Sequence, residues 1–336
     1  MTDDTKPDEA KADETKPVAT KPVATKPVAT EAAEDLSARA ERHRGELRVH
    51  CYRMVGSYTD AEDLVQETLI RAWRARESLD DPARLRPWLY RIATRVCLDF
   101  LGGPARSREV ATATSAIAEV RWLEPYPDSL LDGTIARETI ELAYLAAIQH
   151  LPPRQRAVLI LRDVLGFPAD ETARTLEVTV AAVKSALQRA RATLRTHLPP
   201  RRADWGPATA PSAAERATLR RYVTASQNAD LTELTALLRE DARQTMPPVA
   251  RVYEGRTAIL DLWRPVLQGP DRWGEWRTVE VTVNRQPAAV NYVREPGDTE
   301  YRAVNIDVLR IEDGLVAEIT TFGPEVLPAL GLSPIL

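Results

Sequence analysis

Residues 168–194 read PADETARTLEVTVAAVKSALQRARATL. Apolar positions fall at helical spacing in two runs, broken between Leu176 and Thr179. A short helix over 169–176 precedes a longer one over 180–195. Two helices that cross steeply need a small residue at their contact, and Ala173 supplies it. Leu176, Val178, Val183 and Leu187 form the buried wedge. Thr179 is placed to cap the second helix, whose inner stripe is Val183, Leu187, Ala190 and Leu194. Its outer face presents Ala181, Ala182, Lys184, Ser185, Gln188 and Arg189. Short residues early in the helix let the backbone enter a major groove. Lys, Ser and Gln then reach base edges, while Arg189, Arg191 and Arg195 reach phosphates. The pattern is a helix-turn-helix, with Glu177 at the turn where glycine is usual.

Charge supports the same reading. The 336 residues carry a net charge of −4, yet 178–202 hold basic groups and no acid. A basic block between acidic ones is the footprint of a polyanion site. The apolar fraction of 44% can build real cores. Two cysteines, Cys51 and Cys97, exclude a disulfide scaffold and a four-cysteine zinc site. No apolar run reaches the ~18 residues of a membrane helix. No metal motif, phosphate loop or dinucleotide fingerprint occurs. The expectation is a cytoplasmic protein with no membrane partner, no metal and no cofactor.

Moving outward, residues 1–35 hold three tandem KPVAT copies and read as a disordered tail. Residues 36–103 are helical. Leu47, Cys51, Met54, Val55 and Tyr58 form one stripe, ended by Gly56. Thr59 is expected to start the next helix, with Glu62 at a capping-box position. On 60–73, Ala61, Leu64, Val65, Thr68, Leu69 and Trp73 form the inner face. A third helix runs from about Pro87 to Leu101. Residues 104–135 read as a linker. Helices resume over 136–150 and 154–165, so 136–198 form a second all-α module. His50 and His150 are read as structural residues at helix ends. Residues 199–212, with four prolines, make a second linker.

After 212 the period changes. Helices are expected near 213–228, 231–238 and 256–267, then alternating strands near 279–283 and 304–309. Asp313-Gly314 marks a hairpin. Residues 213–327 therefore form an α+β domain, followed by an apolar tail, 328–336, that should pack on something. This domain contains no histidine. Tyr253, Asn305 and Asp307 are the candidate pocket residues, with Asp307 and Asn305 on one strand face opposite Val304, Ile306 and Val308.

Four stretches in order resemble the extracytoplasmic-function (ECF) sigma factors of bacterial RNA polymerase: DAEDLVQETLIRAW (60–73), LRPWLYRIATRVCLDFL (85–101), LPPRQRAVLILRDVLGF (151–167) and the 168–194 unit. WLEPYPD (122–128) is similar to the SigG-type subgroup, which carries a C-terminal SnoaL-like domain of the NTF2-type fold. The resemblance implies a multidomain protein: a region-two domain (36–103), a region-four helix-turn-helix domain (136–198) and a SnoaL-like domain (213–327). It implies that Asp60, Glu62, Asp63, Gln66 and Glu67 dock on the largest-subunit coiled coil of core polymerase, that the flap is a second contact, and that promoter DNA is the other partner. Arg84, Arg86, Trp88, Arg91 and Arg95, with the loop 77–87, would read the −10 element. Thr179, Ala181, Ala182, Lys184, Ser185, Gln188, Arg189 and Arg191 would read the −35 element. Arg95 stands where the family usually has asparagine, and Gly102-Gly103-Pro104 where it usually has a basic run. The SnoaL-like domain would act in cis on the sigma domains, with room for a small-molecule ligand. A sigma factor does no covalent chemistry of its own. The alternative is a DNA-recruited enzyme or sensor whose activity lies in the C-terminal domain.

Overall fold

The computed structural model describes residues 1–2, 36–103, 120, 122–131, 141–198 and 210–336. The KPVAT repeats, most of both linkers and residues 136–140 lie outside the described residues.

The first module packs α1 (Arg44–Val55), α2 (Tyr58–Arg74) and α3 (Leu85–Leu101) around Leu47, Met54, Val65, Leu89 and Ala93. Gly56 ends α1 with φ 79°. The chain reverses there, so Ser57 rather than Thr59 caps α2, its Oγ accepting from the Asp60 amide at 3.0 Å. Trp73 is not on the inner face: it is 43% exposed, with the Arg76 guanidinium 5.0 Å from its ring. The period explains this. Ala61, Leu64, Val65, Thr68 and Ala72 are buried, and at ~100° per residue Trp73 lies about 120° from Ala61. His50 lies in the middle of α1, not at its end. It is buried and hydrogen-bonded through Nε2 to Thr94 Oγ1 at 3.0 Å. Burial, with Arg53 nearby, lowers its pKa to about 3, so the ring stays neutral. Cys51 and Cys97 are buried thiols.

The second module comprises α4 (Leu142–Gln149), α5 (Pro153–Leu159), α6 (Ala169–Leu176) and α7 (Val180–His197). A π-helical segment, Ile160–Val164, continues α5. Glu177 takes the left-handed conformation, φ 55° and ψ 46°. Val158, Ala173 and Val183 form the wedge between crossed helices.

The third module begins with α8 (Ala213–Gln227), started by a capping box of Ser212 and Glu215. Next come α9 (Leu231–Leu237), β1 (Leu238–Met246), β2 (Val249–Glu254) and α10 (Arg256–Gln268). Strands β3 (Glu275–Val283), β4 (Gln286–Arg294), β5 (Arg302–Glu312) and β6 (Leu315–Phe322) follow. The sheet order is β2-β1-β6-β5-β4-β3; β1 and β6 run parallel and the other pairs antiparallel. Asp313 and Gly314, both at positive φ, make the β5–β6 turn.

The sheet has two apolar faces. Ala289, Leu309 and Ile319 pack with α8 and α9. Ala288, Val290, Tyr292, Ile306 and Val308 belong instead to one apolar cluster shared with both helical modules. That is why β4 is buried along almost its whole length. The C-terminal tail runs beside the start of β5: Leu336 exchanges backbone hydrogen bonds with Tyr301, and Ala303 donates to Pro334 O at 2.9 Å.

A Cβ at Gly56 would strain the left-handed backbone and meet the Gln149 side chain at 3.1 Å and the Trp122 ring at 3.3 Å. Gly56→Ala should therefore destabilise the protein by ~1–2 kcal/mol. Unchanged urea unfolding would show that this junction tolerates a side chain.

Candidate functional site

Three places carry polar chemistry: the exposed faces of α3 and α7, the junction where the modules meet, and a cavity in the third module.

On α7, the Thr179 hydroxyl accepts from the Ala182 amide at 3.1 Å and caps the helix. Ala181, Ala182, Lys184, Ser185, Gln188 and Arg189 are all exposed on one face. Val183 and Ala190 are buried on the other. Arg189 donates to Ser185 Oγ at 2.6 Å. Arg191 turns back to its own module, in a fork on Asp163 at 2.7 and 2.8 Å, so it braces α7 against the π-helical segment.

Arg84, just before α3, and Arg91 on it are exposed. Arg95 is exposed but paired across modules with Glu177, at 2.5 Å. Arg86 bonds Glu46 at 2.8 Å and lies over the rings of Tyr90 and Phe167, the latter in the second module. Trp88, which the resemblance groups with the −10 residues, is not on the exposed face. It is 6% exposed, with its indole N–H directed at Ser78 Oγ, because helical period places it on the packed side of α3 with Leu85 and Leu89. On α2, Asp63 and Gln66 are exposed; Asp60, Glu62 and Glu67 are half-buried. Glu62 receives Arg48 at 2.8 Å and Glu67 receives Arg71 at 2.7 Å.

The junction was not foreseen. Residues 122–131 are not loose: they are built into the contact between the first and third modules. The β3–β4 turn, Asn284-Arg285, has positive φ at both residues, the geometry of a two-residue hairpin turn. Asn284 is fully buried. Its Oδ1 accepts from the Tyr126 amide at 2.7 Å, its own amide donates to Tyr126 O at 3.1 Å, and its Nδ2 donates to the Tyr52 hydroxyl at 3.0 Å. Tyr52 in turn donates to Glu124 O at 2.6 Å. Arg48 donates to the Tyr126 hydroxyl at 2.9 Å, and Gln286 Oε1 accepts from the Leu142 amide at 2.9 Å. The Asp128 carboxylate accepts from the Arg285 amide, and burial raises its pKa to about 6. Asparagine tolerates the left-handed turn better than most residues, and a buried amide needs every group satisfied. The local signal was slight: an asparagine at the end of the alternating β3 run, with nothing to mark its partners 158 and 232 residues away.

The cavity has a volume of ≈ 130 Å³. Asn305 and Asp307 both line it, on the strand face opposite Ile306 and Val308. Tyr253 is a correction: on β2 opposite Gln244 of β1, it lies outside the lining, partly buried, with Arg251 near its hydroxyl. Asp307 is fixed by three donors: Thr321 Oγ1 at 2.7 Å, Asn291 Nδ2 at 2.7 Å and Tyr222 OH at 3.0 Å. Burial still raises its carboxyl above the usual range, and it lifts the Tyr222 hydroxyl too. Among the described residues no cluster could hold a metal ion, and no helix is long and apolar enough to cross a membrane.

Two helical heads, one with a recognition helix, joined to a cavity-bearing α+β domain define a DNA-reading transcription protein with an accessory domain. Family models match in the same order: Sigma-70 region 2 over residues 40–106, Sigma-70 region 4 over 141–194 and SnoaL-like domain over 219–319. The chain is similar to ECF RNA polymerase sigma factor SigG of Mycobacterium tuberculosis H37Rv, at 40% identity over 90% of this chain and 85% of the relative. It is also similar to SigJ of the same strain, at 28% over 83% and 88%. A crystal structure of SigJ shares the fold, with a TM-score of 0.59 and 23% identity over 90% of this chain and all of that one. The chain belongs to the ECF sigma factor family, whose members direct promoter recognition and transcription initiation.

Lys184→Ala or Gln188→Ala should weaken −35 recognition by ~1–3 kcal/mol if the face is used as described, measured as promoter discrimination by holoenzyme. Arg191→Ala should lower thermal stability with little effect on that discrimination. The reverse ranking would move the base-reading face.

Proposed function

We propose that α7 reads the −35 element and α3 with the loop before it reads the −10 element. The acidic face of α2 docks core polymerase at the coiled coil of its largest subunit, and the second module meets the flap. The C-terminal domain holds the two heads shut. One observation carries the last point: Asn284 joins the third module both to α1 and to the linker between the heads.

Geometry supports a closed state that must open. A −35 and a −10 element lie about 25 base pairs apart, about 85 Å along B-DNA. Here the heads touch. Arg95 is paired with Glu177 of the second head, and Arg86 lies against Phe167. Both arginines belong to the proposed −10 face, so the second head occupies it. Heads in contact cannot span ~85 Å, so promoter reading requires their separation. The contacts that hold them together then set how much binding energy polymerase must supply. The lock also reaches the docking face, because Arg48 bonds Glu62 and Tyr126 together.

Asn284→Gly keeps the left-handed turn and removes the amide, and Tyr52→Phe removes the matching hydroxyl. At ~1 kcal/mol per lost hydrogen bond and ten-fold per ~1.4 kcal/mol, losing the one bond to Asn284 in the Tyr52 variant should raise promoter-directed transcription with limiting core polymerase by about five-fold, and losing two in the Asn284 variant by up to about thirty-fold. A drop in transcription, with folding intact, would show that the C-terminal domain supports the active form instead.

Asp63→Arg with Gln66→Arg reverses the exposed part of the acidic face. It should abolish copurification with core polymerase while leaving circular dichroism unchanged. Normal association would place the docking surface elsewhere.

A further inference from the structure

The promoter reading proposed above makes no use of the cavity of the third module, whose walls are specific about what they can hold. It is ringed by Trp263, Trp273 and Trp276. Trp273 and Trp276 stack at 15° between planes with centroids 6.0 Å apart, and Trp273, at 46% exposed, stands at the mouth. Flat indole walls select flat apolar ligands. A cavity of ≈ 130 Å³ matches one aromatic ring, since a dry cavity of about 150 Å³ accepts benzene; the open mouth leaves room for a second ring beside Trp273.

Two polar atoms of the lining residues are unused. Gln244 is 3% exposed; its amide N–H donates to Thr321 at 2.9 Å, but its Oε1 has no hydrogen-bond partner among the described residues. The same holds for the indole N–H of Trp276. A buried acceptor and a buried donor left unsatisfied are unfavourable; each exposes almost no surface to the cavity, so a ligand that pairs them does so by turning the Gln244 and Trp276 side chains toward it. The lining contains one acid, Asp307, and no base. An anionic ligand would meet a carboxylate with nothing to offset it. A cationic ligand is disfavoured differently: both Asp307 oxygens already accept from Tyr222, Asn291 and Thr321, leaving little capacity to replace an ammonium's water.

We propose that this cavity binds an uncharged, flat molecule of one to two rings that offers one hydrogen-bond donor, to Gln244 Oε1, and one acceptor, to the Trp276 N–H. The proposal goes beyond the promoter reading and stands apart from it, since its test contains neither polymerase nor DNA.

Full-length protein is titrated calorimetrically at pH 7 with four probes of similar size: 2-quinolone, naphthalene, 2-naphthoate and (2-naphthyl)methylammonium. The lactam carries one donor and one acceptor; the others carry none, a negative charge and a positive charge. 2-Quinolone should bind at least about ten-fold more tightly than each of the others, a difference of ~1.4 kcal/mol. Gln244→Leu should remove most of that preference and leave naphthalene within about two-fold, and Trp276→Phe should weaken 2-quinolone independently. Quenching of tryptophan fluorescence, reduced in Trp273→Phe, should report the same order. Tightest binding by the ammonium probe would overturn the proposal in favour of a carboxylate-led site. Equal binding of naphthalene and 2-quinolone, or indifference to both the Gln244 and Trp276 variants, would remove the polar groups from recognition. No heat and no quenching with any probe would mean that the cavity is not a binding site.

Discussion

A single buried amide stands where three parts of the chain meet. Asn284 belongs to the C-terminal sheet, Tyr52 to the first helix and Tyr126 to the segment between the heads. Buried polar groups demand near-complete satisfaction, because water cannot replace a lost partner. The network breaks as a unit: moving the C-terminal domain away removes together the bonds of Asn284 to the Tyr52 hydroxyl and to the Tyr126 backbone N–H and C=O, while Tyr52 keeps Glu124. Such a contact makes two discrete arrangements more favourable than a continuum between them, which is what a regulated protein needs.

The sheet that carries Asn284 extends the same logic through its two faces. Period-two alternation sends Asn305, Asp307 and Leu309 inward, toward the cavity and α8, and Ile306 and Val308 outward. An outward apolar face on an isolated domain would be wet. Here it joins one apolar cluster with the helical heads and the C-terminal tail. The accessory domain and the heads thus share a core, and its inward face is left to form a cavity. A domain with one face committed to its neighbours and the other to a cavity has the layout of a module that could pass ligand occupancy to the heads.

The exposed polar face of α7 was readable in the chain. Helical period, a cap at Thr179 and small residues at 181 and 182 place Lys184, Ser185 and Gln188 on the exposed side of α7, and the structure leaves them there. The errors have local physical causes. Trp73 and Trp88 are large amphipathic rings, and only the angular position on each helix separates the exposed one from the buried one. Arg191 looks like a phosphate ligand until Asp163, 28 residues away, claims it. Strands β1, β2 and β4 went unassigned. LREDARQTM carries too many charges to show alternation, and QPAAVNYVR is buried on both faces, so it has none to show.

Composition, period and motif order determined by themselves that two helical heads precede an α+β domain, and which face of α7 is polar, because these depend on contacts within a few turns of chain. What only the tertiary structure decided is which charged groups are engaged and what holds the modules together. Arg95 with Glu177 lies 82 residues apart, and Asn284 with Tyr52 lies 232 apart. Local periodicity carries no information at such separations; both contacts exist only once the chain has closed on itself, and the Asn284 contact draws its energy from the burial that closure creates.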